Sequence, residues 1–354
     1  MPLQTPQCAP QRRRVPHRAA SVATMVTVIV VVAGLGATAC AGSSGVSPSD
    51  DGDPPAEIQW TVLADGASRA SALEYGTAAY QLLDLYVPAG DGPFPLVVWV
   101  HGGYWSTGSR TELPSYYRRP LTDAGYAVAT VDHRLAASGA NPHPTQVQDL
   151  LRAVSWLSTH GDTLHVDPDA VVLTGDSSGG HLAMLAATAD GLAAITVGTE
   201  LPPIRGVVTF AAPTDLTYVM QWAPFGEPAV RLLMGCGSDP WCDPGPAEPW
   251  PYLDPGDPPM LMFTSSTDPF APPYHADRML AVCGALGVSD ITSVVLNGVD
   301  HDRVKEFAPM DTILSWIAER LSGEAPPVST STPDTTEPES PDPSAPDPSV
   351  PDGH

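Results

Sequence analysis

Apolar residues along this chain fall in short runs, and the runs alternate with stretches of helical period. "PLVVWVHGG" (95–103) is an apolar run ending in glycines, which predicts a buried strand leading into a loop. "YAVATVDHR" (126–134), "AVVLTGDSSGG" (170–180), "GVVTFAAP" (206–213), "MLMFTSS" (260–266) and "TSVVLNG" (292–298) repeat that pattern. Two earlier segments, "AEIQWTVL" (56–63) and "QLLDLYVP" (81–88), alternate more and predict a half-exposed hairpin. Between the apolar runs lie helical patterns. "PTQVQDLLRAVSWLSTH" (144–160) places Val147, Leu150 or Leu151, Val154 and Leu157 on one face. "HLAMLAATA" (181–189), "YHADRMLAVCGAL" (274–286) and "FAPMDTILSWIAERL" (307–321) are the others. Strands that alternate with helices predict an α/β fold, with a mostly parallel central sheet and helices on both faces. No internal repeat interrupts it.

The two ends break the pattern. Arg12, Arg13, Arg14 and Arg18 precede an uncharged stretch, Ala19 to Ala41, whose most apolar part is "MVTVIVVVAGLG". A basic segment, an apolar segment and small residues describe an export signal over 1–40. Its end, "GATAC", resembles the lipobox of bacterial lipoproteins, which implies lipidation of Cys40, although Ala37 stands where leucine is usual. The expected location is extracytoplasmic, on the membrane through that lipid. Secretion, or an uncleaved anchor, is the alternative, since the apolar stretch is just long enough to span. Residues 41–55 read as a linker. Residues 323–354 are a Pro/Ser/Thr/Asp tail with seven acids and no Lys or Arg, too polar to build a core. That leaves 56–322 for one catalytic domain.

The formal charge is −24, and losing the four arginines before Cys40, where no acid lies, makes it −28. Such a surface argues against nucleic acid or anionic lipid as a partner. Of the five cysteines, Cys236 and Cys242 flank the turn-rich "GSDPW", and in an oxidising compartment they predict a disulfide. Cys283 reads as a buried helix position. No CxxC pair or His/Cys cluster suggests a metal.

The candidate chemistry centres on "GDSSG" (175–179), a G-x-S-x-G pattern around Ser177. A tight strand-to-helix turn lifts the central serine above a sheet, and small neighbours permit the turn. Ser178 then opens the next helix, where its main-chain N–H can face an oxyanion. "HGGYW" (101–105) ends an earlier strand and can supply further N–H groups. A serine nucleophile of this kind needs an acid and then a histidine later in the chain. Asp268 follows the fifth apolar run and His301 the sixth, both just past predicted strand ends.

These residues resemble the α/β-hydrolase serine esterases, near the hormone-sensitive-lipase and feruloyl-esterase-like (BD-FAE) branch. "HGGYW", "VDHRL", "HPTQVQDLLRAVSWL", "VDPDAVVLTGDSSGGHLA" and "DPPMLMFTSSTDPFAPPYHADRM" carry the resemblance over about residues 80–320. It implies Ser177 as nucleophile, His301 as general base and acid, and Asp268 as the residue that orients His301. Gly103, Tyr104 and Ser178 are the implied oxyanion donors, the substrate a small-molecule acyl ester, and no cofactor is needed. Two positions depart from the family: Ser265-Ser266 replaces a His-Gly pair, and His133 replaces a tyrosine. Asp176, His181, Asp215 and Asp149 are expected to be structural, and Asp300 and Asp302 to flank His301 without acting. The aromatic-rich segment 213–257, with Tyr218, Trp222, Phe225, Trp241, Trp250 and Tyr252, is either a lid or acyl pocket or a satellite core. "HGGYW" also resembles kynurenine formamidase, so an arylformamidase-type amide hydrolase is the alternative function, and an inactive hydrolase-fold binding lipoprotein a third.

Overall fold

The computed structural model describes residues 58–189, 201–286 and 290–322. The expected signal with Cys40, the linker and the acidic tail lie outside them. Nine strands form one sheet among the described residues: β1 (Trp60–Val62), β2 (Ser68–Glu74), β3 (Leu82–Val87), β4 (Phe94–Val100), β5 (Ala127–Val131), β6 (Val166–Asp176), β7 (Ile204–Phe210), β8 (Met260–Ser265) and β9 (Ile291–Leu296). Their spatial order is β1-β2-β3-β5-β4-β6-β7-β8-β9. The six apolar runs are the parallel strands β4 to β9, and β1, β2 and β3 extend the sheet antiparallel at one side.

The helices are α1 (Ser115–Asp123), α2 (Thr145–Thr159), α3 (Gly161–Leu164), α4 (Ser178–Thr188), α5 (Leu216–Trp222), α6 (Gly226–Met234), α7 (Tyr274–Leu286), α8 (Val304–Phe307) and α9 (Met310–Leu321). They cover both faces of the sheet. Successive strand residues point to opposite sides, so Gly206 and Thr209 of β7 face opposite ways. Trp316 of α9 lies where a Cβ on Gly206 would sit, 2.6 Å away, whereas a Cβ on Gly180 of α4 would come 3.2 Å from the Cβ of Thr209. With both faces covered, every residue of β5 and of β8 is buried. This is why these strands read as continuous apolar runs rather than alternating ones. Val147, Leu150, Leu151, Val154 and Leu157 of α2 are all buried in the same core.

Two expectations need correction. The segments 56–63 and 81–88 do not pair as a hairpin: β2 lies between β1 and β3 and pairs with both. β2 reads "SRASALE", small and polar, with few residues that favour strands. It is held by its backbone, with a register shift between Ala70 and Leu73. At that shift Ala72 has φ 54° and donates its N–H to Asp84 Oδ1 at 2.8 Å. β3 also hides an acid. Asp84 is fully buried and receives Arg69 at 2.6 Å and Arg110 at 3.0 Å, so a strand that looks half-exposed is an interior one. The second correction concerns 307–321. Pro309 has no N–H to continue a helix, and α8 ends at Phe307 before α9 begins at Met310.

Candidate active site

The candidate site lies at the carboxyl ends of β4, β6, β8 and β9, in the parallel part of the sheet. At the end of β6 the chain turns sharply into α4. Ser177 sits on that turn with φ 51° and ψ −122°, a conformation that costs a non-glycine residue of the order of 1–3 kcal/mol. Its N–H is tied to the Phe210 carbonyl of β7 at 2.7 Å. The turn needs Gly179. A Cβ there would fall 2.2 Å from the Val100 carbonyl oxygen and 2.4 Å from that of His101. Its absence lets the first turn of α4 close onto the end of β4.

Ser177 Oγ is 2.9 Å from His301 Nε2, and His301 Nδ1 is 2.7 Å from Asp268 Oδ2. His301 follows β9 on a 3₁₀ turn, His301–Arg303. Asp268 follows β8 and is buried, and its other oxygen accepts the N–H groups of Phe270 at 2.8 Å and Ala271 at 2.9 Å. Burial pushes this carboxyl up. The hydrogen bond and charge of His301, with the Ala271 and Phe270 amides, outweigh that and hold it below the usual carboxylate value. Asp300 and Asp302 flank the histidine, but Asp268 makes the bond to its ring. Phe270 packs edge-on against both His301, at 5.3 Å, and Tyr104, at 5.0 Å between ring centres.

The "HGGYW" loop follows β4 with three successive left-handed residues: Gly103 at φ 119°, Tyr104 at 55° and Trp105 at 60°. Gly102 donates its N–H to Asp176 Oδ1 at 3.1 Å. The N–H groups of Gly103, Tyr104 and Ser178 have no hydrogen-bond partner among the described residues. Trp105 is fully buried, and its indole N–H donates to His181 Nδ1 at 3.1 Å. An indole can only donate, so the His181 proton sits on Nε2, which donates to the Ala247 carbonyl at 2.7 Å. Burial lowers His181 to about 3 against the pull of that carbonyl. His181 thereby ties α4, the oxyanion-type loop and the segment 213–257 together.

The remaining singled-out residues are found as follows. Asp215 caps α5, accepting Tyr218 N–H at 2.7 Å, and also accepts the Tyr274 hydroxyl at 2.8 Å. Asp149 is fully buried and receives Gln81 and both the main chain and the guanidinium of Arg134. His133 stacks on His101 with ring centres 4.6 Å apart. Burial, and then the neighbouring His101, lower it to about 3. Ser265 Oγ, at the His-Gly departure, donates to the Val299 carbonyl at 2.5 Å and so braces the loop before His301. Cys236 and Cys242 are joined in a disulfide with Cα atoms 5.5 Å apart. Among the described residues no three His, Cys, Asp or Glu side chains form a group that could hold a metal.

The segment 213–257 does two things. Leu216, Val219, Val230, Leu233, Ala247 and Leu253 are buried in the common core, whereas Trp222, Phe225 and Trp241 are exposed. Phe225, Pro228, Ala229 and Leu232 line one wall of a groove of about 320 Å³, and Tyr104, Ser106 and Thr107 line the other.

A family model, BD-FAE, matches residues 83–292, from β3 to the start of β9. The chain belongs to the BD-FAE family. Among curated proteins it is similar to the carboxylic ester hydrolase LipN of Mycobacterium tuberculosis, 37% identical over 98 residues, which is 27% of this chain and 26% of LipN. It is similar also to the probable carboxylic ester hydrolase LipM of the same organism, 26% identical over 193 residues, 52% of this chain and 44% of LipM. The BD-FAE chain thus spans less than half the length of these two relatives. Among solved structures, a truncated carbohydrate esterase from gut microbiota superposes with a TM-score of 0.64 at 20% identity, covering 76% of this chain and 100% of the other. At that identity the likeness is one of fold, and the fold is that of the α/β-hydrolases.

Lys305, which no apolar run or motif marks, donates to Asp176 Oδ2 at 2.5 Å. Its only signal in the sequence is that it is the one lysine in the chain, four residues after His301.

Proposed function

We propose that this BD-FAE protein hydrolyses carboxylic esters of small molecules through an acyl-enzyme on Ser177, with His301 as base and then acid and Asp268 as its orienting partner. The observation that carries the reading is the unbroken contact from Ser177 Oγ through the His301 ring to Asp268. His301 Nε2 takes the hydroxyl proton as Ser177 attacks the acyl carbon, and returns it to the leaving alcohol. Water then repeats the two steps on the acyl-enzyme. Asp268, held ionised, keeps the His301 proton on Nδ1 and stabilises the cation that forms. The negative oxygen of each tetrahedral intermediate is received by the N–H groups of Gly103, Tyr104 and Ser178, which no described acceptor uses. Gly102 cannot join them, because Asp176 already holds its N–H. The groove beside Tyr104 suits the apolar part of the ester. No cofactor enters this scheme.

Export with lipidation at Cys40 is part of the same reading. The signal-like composition of residues 1–40 supports it, and so does the Cys236–Cys242 disulfide, a feature of oxidising compartments. Mass spectrometry of the mature protein tests it: an unmodified Cys40, or retained Arg12, overturns lipidation at Cys40.

For the activity, the test is a chain-length series of p-nitrophenyl acyl esters run beside N-formyl aromatic amides, with a fluorophosphonate to mark the nucleophile. Ester turnover and a label on the Ser177 peptide are expected. Faster turnover of the amides moves the reading to formamide hydrolysis. Absence of both label and turnover overturns it in favour of an inactive binding protein.

A further inference from the structure

Lys305 sits one helical turn after His301. The 3₁₀ turn His301–Arg303 runs directly into α8, so residues 301 and 305 project from the same side. On the opposing elbow, Asp176 and Ser177 are adjacent. Two contacts therefore form in parallel: His301 Nε2 meets Ser177 Oγ at 2.9 Å, and Lys305 Nζ meets Asp176 Oδ2 at 2.5 Å. Lys305 Nζ also donates to the carbonyl of Asp302, next to His301, at 3.2 Å. Asp176 spends its other oxygen on the Gly102 N–H of the oxyanion-type loop.

We propose that Lys305 is a positioning residue, whose ammonium locks the His301 turn to the nucleophile elbow and, through Asp176, to the Gly102–Tyr104 loop. The inference rests on the triad reading given above. Lys305 touches no reacting atom; it acts through Asp176 and the main chain of Asp302. A lysine suits the role, because its compact ammonium donates in several directions to acceptors on separate segments, which the flat guanidinium fork does not. The neighbouring acid Glu306 does not compete, since Arg303 holds both its oxygens at 2.9 Å. The Lys305 and Asp176 side chains are only 18% and 17% exposed, so salt screens the pair less than a surface one. All the cations around it in the fold are arginines; the chain has no second lysine.

The clamp holds groups whose work is done in the transition state, so its loss lowers kcat more than it raises KM. Lys305→Met is expected to lower kcat about 10- to 100-fold, the scale of a sub-ångström to ångström misplacement, with KM within about twofold. The rate of Ser177 labelling by a fluorophosphonate should fall alongside it. Lys305→Cys gives a rescue: alkylation with 2-bromoethylamine rebuilds an ammonium at lysine's length and restores kcat, and alkylation with iodoacetamide does not. Asp176→Asn breaks the ion pair from the other side while still accepting from Gly102, so the test survives if one variant fails to fold. Because the two residues act as one unit, Asp176→Asn/Lys305→Met should be no slower than the slower single variant. Wild-type rates of labelling and turnover in Lys305→Met overturn the clamp alone. Rescue by iodoacetamide as well as by bromoethylamine, or losses that multiply in the double variant, overturn it too. A wild-type protein that neither labels nor turns over esters overturns the hydrolase reading and the clamp with it.

Discussion

Four histidines that the fold holds neutral make it sensitive to acid, and one of them can be read separately. His133, His181 and His275 are 1%, 0% and 0% exposed, and His143 is half-buried. Burial is the leading cause in each case and lowers His133 and His181 to about 3 and His275 and His143 to about 4. An unfolded histidine titrates near 6.5, so the fold holds these rings neutral while the unfolded chain takes up their protons. The stability they carry is whole above that unfolded value and is lost as pH falls toward about 3 to 4. Between roughly pH 7 and pH 4.5 each ring costs about 2–3 kcal/mol, and the four together about 10 kcal/mol. For a domain of this size that is a fall in Tm of about 20–40 °C. His181→Gln removes one of the four. The glutamine amide can still donate to the Ala247 carbonyl, but it does not titrate. The variant starts less stable at neutral pH, because the Trp105 N–H loses its acceptor. The slope of stability against pH is the readout. Urea unfolding followed by tryptophan fluorescence across that range should show the total loss shrink by about a quarter, or about 5–10 °C on the Tm scale. An unchanged slope in His181→Gln, or a wild-type midpoint flat from neutral to acid, would refute the reasoning.

Ser177→Ala should lose about 10⁶ in kcat with a short acyl ester, whereas Ser178→Ala keeps the main-chain N–H and should lose about tenfold at most. Circular dichroism first confirms that both fold, and near-native turnover by Ser177→Ala would remove the elbow assignment. Asp268→Asn keeps the shape of the site but lets His301 adopt the wrong tautomer, and should cost about 10⁴ in kcat with little change in KM. A loss under tenfold would point to Asp300 or Asp302 as the working acid. Opening the Cys236–Cys242 disulfide, which closes a sequence separation of six, should lower stability by about 2 kcal/mol at most and leave kcat unchanged. Denaturant midpoints with and without reductant check this.

What was legible in the chain was whatever burial on both sides, or a tight turn, writes into residue type. Strands β4 to β9 stand out because a parallel sheet clothed on both faces admits little but valine, leucine, alanine and their like. The elbow stands out because Gly175 and Gly179 have no room for side chains. The order serine, acid, histidine could be read because each follows an apolar run. β2 was not legible, since its pairing is main-chain and its side chains are small or polar. α1 was not legible either: "SYYRRPLTD" looks like a polar loop, and its Arg118 is buried only because Asp65, far away in the chain, meets it. The same holds for Asp84 and Asp132, two acids that look solvated singly and are buried because the partly exposed Arg110 bridges them. Charges that neutralise one another across the sheet leave no periodic trace. Segment 213–257 was ambiguous because it holds core leucines and exposed aromatics in one stretch, and the fold uses both.

The distance along the chain between Ser177 and His301, 124 positions, sets when the site can come into being. Between them lie β7, β8 and β9, each laid parallel beside the last, with no hairpin to hold neighbours together. Parallel pairing of this kind must close long loops before it gains contacts, and is slow. His301 arrives only after β9 is seated at the sheet's outer edge. During synthesis Ser177 therefore emerges well before His301, and a partly made chain carries the serine without the ring it meets in the folded protein. On refolding, backbone signals should return ahead of hydrolysis, and the interval between them is the docking time of the last strand.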